Sequence, residues 1–272
     1  MKAYRMDKKT LIFLHIPKTG GRSLQDILLR QFTDGDSVTN AHERLAEIRV
    51  WSEQRKRDVR YIQGHFVYGV HEILPQESTY IAMLRDPIER VISHYYYIKG
   101  YRKHPLNRII EENDLDLEGY VTSGICSEVR NDQTRMIAGI ARNAEIEMSE
   151  MLRIAKENID RKFMLVGLVE RFDEVLVLLK RYLGLKSIYY GIRNQNYGRP
   201  LKEQIPERTL EIIKEYNRAD VELYAYARDK LNDKINEQGP SFITEVNRFK
   251  FLNKPYSELF HLIRKMKNMI NR

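Results

Sequence analysis

Residues 11–24 read Leu-Ile-Phe-Leu-His-Ile-Pro-Lys-Thr-Gly-Gly-Arg-Ser-Leu. The apolar run Leu11–Ile16 stops at Pro17 and the pair Gly20–Gly21, then gives way to Ser23-Leu-Gln-Asp-Ile-Leu-Leu. That order predicts a buried strand, a tight loop and a helix. Glycines let the backbone approach a ligand, and a helix N-terminus presents free N–H groups at the positive end of its dipole. Lys18 adds a mobile point charge, while Thr19 and Ser23 add hydroxyls, so the stretch reads as a phosphate cradle. In the nucleotide-hydrolase loop the lysine follows the last glycine. Here Lys18 precedes both glycines, and an ATPase or kinase reading loses support.

Outward from this loop, Arg60–Gly64, Tyr80–Leu84 and Phe163–Leu168 read as further strands, and Pro87 opens a helix running to about Ile98. Phe172–Leu183 has apolar residues at helical spacing and closes at Gly184, and Glu207–Lys230 is a long helical stretch. Strands alternating with helices predict an α/β fold with a mainly parallel central sheet flanked by helices. The expected organisation is one domain over 1–240, with a helical insertion around 114–155, and a basic C-terminal extension over 241–272. In that extension Pro255 opens an amphipathic helix with Tyr256, Leu259, Phe260, Ile263, Met266 and Ile270 on one face. Such a helix suits a membrane surface or an acidic partner, or simply packs on its own domain.

The chain has 272 residues, 42% of them apolar and 31% charged, the balance of a folded soluble domain. Its net charge is +8, of which +5 falls in the last 32 residues, so a composition for binding nucleic acid along the whole chain is absent. One cysteine, Cys126, excludes an internal disulfide framework and points to a reducing, cytoplasmic setting. No apolar run reaches the ~18 residues of a membrane span, and no His/Cys/Asp cluster has metal-ligand spacing. The expectation is therefore no metal.

A second site candidate lies in Tyr80-Ile-Ala-Met-Leu-Arg-Asp-Pro-Ile-Glu-Arg-Val-Ile-Ser-His-Tyr-Tyr-Tyr97. Arg85 stands at a strand end and Ser93 two helical turns on. Ligands of open α/β sheets bind beyond the carboxyl ends of the strands, where Arg85 and the Lys18 loop would share a crevice. Taken alone, an Arg-Asp-Pro helix start is equally a structural cap and salt bridge.

Together the two segments resemble the nucleotide signature of sulfotransferases that use 3′-phosphoadenosine 5′-phosphosulfate (PAPS), nearest to the heparan-sulfate 2-O/6-O type. Gly64-His65, Asn131-Asp-Gln-Thr-Arg135 and Val166-Gly-Leu-Val-Glu-Arg-Phe-Asp173 add to the match, which runs from about Leu11 to Lys230. The resemblance implies a P-loop-like fold and an enzyme that transfers a sulfuryl group from PAPS to a hydroxyl or amine of a small molecule or saccharide, releasing 3′-phosphoadenosine 5′-phosphate (PAP). It assigns Lys18, Thr19, Gly20, Gly21, Arg22, Ser23 and Leu24 to the 5′-phosphosulfate and Arg85 and Ser93 to the 3′-phosphate. Arg193 and Arg199 fall in a late loop closing over the nucleotide. Gln63, Asn131, Gln133 and Arg135 fall on the acceptor side, where Asn131, Gln133 and Arg135 serve equally to brace the insertion.

Histidine is the natural base near neutral pH. Among seven, His65 follows Gly64 at a strand end and matches the resembling family's catalytic histidine, with Gln63 where that family has another histidine. His15 is expected to point into the sheet or bond the loop, and His71 and His94 are reserves. Lys18 would stabilise the leaving phosphate. The chain looks like a stand-alone bacterial member, without the anchor and disulfides of luminal relatives, and its oligomeric state stays open. Two rival classes are a nucleotide-dependent kinase and a non-enzymatic protein that binds RNA or an anionic membrane.

Overall fold

The computed structural model describes residues 9–191 and 199–270. The opening apolar run forms β1 (Thr10–Leu14), buried throughout, and the glycine loop delivers the chain to α1 (Gly21–Leu29). There follow β2 (Ser37–Val38), α2 (Leu45–Arg49), α3 (Glu53–Asp58), β3 (Tyr61–Gly64), β4 (Ser78–Leu84) and α4 (Pro87–Gly100). A helical stretch of α5 (Pro105–Glu112), α6 (Leu117–Thr122), α7 (Asp132–Ala138) and α8 (Met148–Lys162) precedes β5 (Phe163–Leu168) and α9 (Phe172–Leu183). Last come α10 (Glu207–Tyr216), α11 (Arg218–Asn236) and α12 (Ser241–Ile270).

The strands form one sheet in the order β2-β3-β1-β4-β5, every neighbouring pair parallel. This is the expected α/β architecture, and its cause is visible in the runs themselves. Helices cover both faces of a parallel sheet, so its strands are apolar without alternation. Leu11, Ile12, Phe13 and Leu14 are all fully buried. The chain visits β3 on one side of β1 and then β4 on the other, which opens a crevice beyond the strand ends at β1. Leu14 is in register with Gly64 of β3 and Ala82 of β4, so the segments after all three strands meet there. A second, smaller core of Val91, Ile92, Tyr95, Tyr120 and Ile213 ties α4, α6 and α10 together beside that crevice.

Three local features differ from the sequence reading. β2, two residues long, is too short to carry a period. The stretch 207–230 is two helices, because Asn217 stops the first: its Nδ2 donates to the carbonyls of Val129 (2.8 Å) and Ile213 (2.9 Å). The third is where the last helix begins. α12 starts at Ser241, its Phe242, Val246 and Phe249 lie in the main core, and it runs through Pro255 instead of starting there. Proline inside a helix removes the N–H that would meet the Phe251 carbonyl. Flanking contacts hold the helix across that gap: the Tyr190 N–H donates to Asn253 Oδ1 (2.9 Å), and the Tyr256 ring lies 5.8 Å from that of Tyr189. Phe242→Ala should therefore lower stability by ~3–5 kcal/mol. Urea denaturation measures it, and an unchanged midpoint would mean that the start of α12 is not part of the core.

Candidate functional site

The loop after β1 is built around two left-handed residues, Lys18 (φ 69°) and Gly20 (φ 71°). Glycine adopts that conformation freely, while for lysine it costs ~1 kcal/mol. Between them Thr19 is buried and its hydroxyl donates to the Ile16 carbonyl (2.8 Å), tying the loop to its own start. Gly21 opens α1 with the His15 ring where a side chain would be: a Cβ there would fall 2.0 Å from His15 Cδ2. Thr19 thus braces the cradle, and the Leu24 side chain is core, which leaves its backbone for any ligand. Ser23 is buried in the first turn of α1, and Arg22 beside it is exposed.

Lys18 reaches across to α4, its Nζ 3.9 Å from the centre of the Tyr97 ring. Ser93 and Glu89 lie one and two turns back on the same face of α4, since residues four apart stack on a helix. Glu89 takes Arg85 Nη2 at 2.9 Å and Arg199 Nη2 at 2.7 Å on one oxygen. Arg199 Nη1 is buried with no hydrogen-bond partner. Burial first, then the charges of Arg85, Arg22 and Arg199, pull the Lys18 ammonium down to about 8. Burial and Arg199 likewise lower Arg85. Four cations thus crowd one end of β1, while Glu89 bonds two of them. A dianionic phosphate or phosphosulfate is the ligand that this set of donors fits, through Lys18, the arginine forks and the amides at the start of α1.

Arg85 is set by a side chain that mimics a strand. Gln133 is buried; its Oε1 accepts the Arg85 N–H (3.0 Å) and its Nε2 donates to the Arg85 carbonyl (3.0 Å). Gln133 is held in turn at the start of α7, where the buried Asp220 carboxylate accepts the N–H groups of Gln133 (3.3 Å) and Thr134 (2.7 Å). Asn131 Oδ1 accepts the Asp220 N–H (3.2 Å), and Arg135 Nη1 donates to the carbonyls of Ala141 (3.1 Å) and Ala144 (3.0 Å). These three residues brace the insertion, and Gln133 positions Arg85. That is the bracing role which the sequence left open beside acceptor contact. Gln63 is buried, with its Nε2 3.2 Å from His15 Nδ1. Arg193 lies outside the described residues.

Three histidines meet at the end of β3. His65 Nδ1 is 2.7 Å from the His15 carbonyl, which only accepts, so Nδ1 carries the proton and Nε2 keeps its lone pair. The His65 N–H donates to His42 Nδ1 (3.2 Å). Gly64 makes room for this, because a Cβ there would sit 2.9 Å from the His42 nitrogen. His65 opens to solvent on one side. Burial against its neighbours lowers its pKa below 6.5, with His42 and Arg142 acting the same way against the His15 carbonyl and Glu128. The ring is thus neutral at pH 7, with Nε2 able to take a proton. His15 is pushed to about 3 by burial and then by His65, and serves as packing. His94 uses both nitrogens, on Tyr120 Oη (2.9 Å) and Glu128 (3.1 Å), and His71 Nδ1 meets Tyr80 Oη (3.0 Å).

Near enough for its charge to act on the His65 ring, Glu128 also pairs with Arg142 (3.3 Å), whose Nε bonds Asp132 (2.9 Å). Burial would raise the Glu128 carboxyl, but His94 and the charges of Arg142 and Arg90 hold it at about 2. Of these wall and buttress residues, Glu89 and Tyr97 stand in the segment quoted above, four positions after Arg85 and four after Ser93. His42, Glu128 and Arg142 arrive through tertiary folding. Among the described residues no group of three or more His, Cys, Asp or Glu side chains is placed to hold a metal, and no helix is long and apolar enough to cross a membrane.

A model of the sulfotransferase family matches residues 2–227. Uronyl 2-sulfotransferase of Homo sapiens is 25% identical over 182 residues, 57% of this chain and 43% of that protein. Heparan sulfate 2-O-sulfotransferase hst-2 of Caenorhabditis elegans is 23% identical over 239 residues, 76% of this chain and 72% of its own. Galactose-3-O-sulfotransferase 3 of Mus musculus is 24% identical over 246 residues, 81% of this chain and 56% of its own. The chain thus spans less than half the length of the human uronyl relative.

Gln133→Ala should strand the Arg85 N–H and carbonyl and cost ~1–3 kcal/mol for each buried group left unpaired. Urea denaturation with an unchanged m-value is the check. A seated anion restores the Lys18 proton, so pyrophosphate affinity should be highest below pH 8 and fall as the pH rises above it. Calorimetry in buffers of different ionisation enthalpy should show proton uptake near pH 8, and no uptake would overturn this account of Lys18.

Proposed function

The chain belongs to the sulfotransferase family, and on that premise we propose that it transfers a sulfuryl group from PAPS to an acceptor hydroxyl, by in-line displacement. One observation carries the reading: a neutral histidine with a free Nε2 stands at the end of β3, beside a β1 loop whose lysine is crowded by three arginines. PAPS supplies the activated sulfuryl group and leaves as PAP. Lys18 and the amides at the start of α1 would hold the 5′-phosphosulfate and balance the charge that gathers on the leaving phosphate. Arg85, Ser93 and Arg199 would hold the 3′-phosphate, with Glu89 keeping the two arginine forks in register. His65 Nε2 would take the acceptor's proton as its oxygen bonds to sulfur, while Nδ1 stays anchored on the His15 carbonyl.

The acceptor we propose is a sugar hydroxyl. The names of the relatives specify uronyl, heparan sulfate and galactose acceptors, and the Glu128–Arg142 pair near His65 offers a hydroxyl an acceptor and a donor side by side. The reaction as written needs no metal, because Lys18 and the arginines supply the positive charge. A cytoplasmic setting belongs to the same proposal, supported by the reduced, buried Cys126.

Calorimetry with PAP against ATP, followed by an acceptor screen with labelled PAPS, tests the reading; preference for ATP would replace it with a kinase. His65→Ala should lower kcat by ~10²–10⁴ with PAP affinity nearly intact, and Lys18→Ala should weaken both binding and rate. The kcat/KM profile should rise through a pKa below 6.5, as His65 loses its proton, and fall above pH 8 as Lys18 does. A rising limb retained in His65→Ala would remove that residue from the base role.

A further inference from the structure

Helix α12 carries an apolar series spaced alternately by four and three residues: Leu252, Tyr256, Leu259, Ile263 and Met266, which the sequence continues at Ile270. The same seven-residue register runs back from Ile263 and Tyr256 to Phe249 and Phe242, both buried in the domain core. One stripe thus begins as core and then leaves it. Leu252 is 39% exposed, Tyr256 38%, Leu259 56%, Ile263 45% and Met266 55%, with Leu262 at 56% and Phe251 at 79% alongside. Along one flank of this stripe Phe260, four residues after Tyr256, packs against Gly191, and Tyr256 itself rests beside Tyr189, so the domain borders the stripe on that flank and leaves the rest open.

A repeat of 3.5 residues keeps one seam facing a second helix along its whole length. The exposed part of this seam, with its two apolar neighbours, presents several hundred Å². That is at the upper end of the ~300–600 Å² patch of a typical monomer and near the ~800 Å² that each partner of a standard interface buries. The charges select the occupant. Exposed Lys254 and Lys265 fall on the helix face away from the seam, where a paired helix leaves them in water. A helix lying in an anionic bilayer sets its lysines on its polar face too, but asks only for a broad apolar arc and not for a seven-residue register.

We propose that residues 252–266 of α12 form a homodimer interface, pairing antiparallel with the same segment of a second copy about a two-fold axis near His261. A two-fold contact brings the same patch from each copy together. With the axis at 261, Leu259 meets the partner's Ile263 and Tyr256 meets the partner's Met266, and the two helix dipoles oppose. Antiparallel pairing also sets the two domains, each docked on the first half of its own α12, toward opposite ends of the seam.

Light scattering on the full chain, over a concentration series reaching roughly 100 µM (far above the Kd of a stable interface of this size), should give twice the 32.4 kDa chain mass. The double variant Leu259→Glu/Ile263→Glu should return to 32.4 kDa with unchanged far-ultraviolet dichroism and PAP binding. Mixing Leu259→Cys chains with Ile263→Cys chains should form the mixed disulfide in preference to either self-linked pair. A wild-type chain that stays at 32.4 kDa throughout, or a dimer that survives the double variant, overturns the proposal. Wild-type chain that is monomeric and floats with phosphatidylserine vesicles, losing that binding in the double variant, overturns it in favour of a membrane surface.

Discussion

Four cations brought to one point repel one another, and the crevice at the end of β1 is organised around that repulsion. Lys18, Arg22, Arg85 and Arg199 push against one another, and burial first, with that repulsion added to it, draws the lysine down to about 8. Left to themselves the long side chains would swing into water. They are restrained because each anchor is made before the charge is placed. The left-handed backbone at 18 aims the lysine across the Tyr97 ring, Gln133 grips the arginine at 85 by its backbone, and Glu89 bonds two guanidinium groups on one oxygen. Electrostatic preorganisation of this kind is useful because its cost is met in folding and not at the moment of reaction.

The parts of this arrangement that were legible in the sequence are those governed by local rules. The strand-loop-helix around Lys18, the helix opened by Pro87 and the stop at Gly184 follow from apolar runs and the backbone habits of proline and glycine, and the structure places them within a few residues. His65 stood out for the same reason, as the residue after a glycine at a strand end, and the structure places it there. The residues whose surroundings the sequence did not show are polar groups with partners remote in it. Gln133 and Asn131 stand in a segment that looks like a substrate wall, yet their partners are Arg85 and Asp220, 48 and 89 positions away. Gln63 alternates along β3 in a way that permits either face, and the His15 ring decides which. His42 enters only because Gly64 leaves space for it. Such pairings depend on which chain segments the fold brings back together, and no window of sequence contains both halves.

Those pairings also connect the two halves of the site. The helical stretch from α5 to α8 contributes Glu128 and Arg142, whose charges act on His65, and through Gln133 it fixes the backbone of Arg85. The proposed nucleotide and acceptor sides would therefore share a support, the buried carboxylate of Asp220, which α11 carries to the start of α7. A disturbance of that carboxylate is felt on both sides of the crevice.

The loop lysine has one more consequence. At φ 69° an L-residue is strained, and glycine in its place would relax the backbone. The residue that would make the fold more comfortable is thus one that cannot carry a charge. With Lys18 in its proposed role, stability and chemistry compete at that single peptide, and the chain occupies the less stable side of the contest. Selection for a sturdier protein and selection for a working one would pull this position in opposite directions.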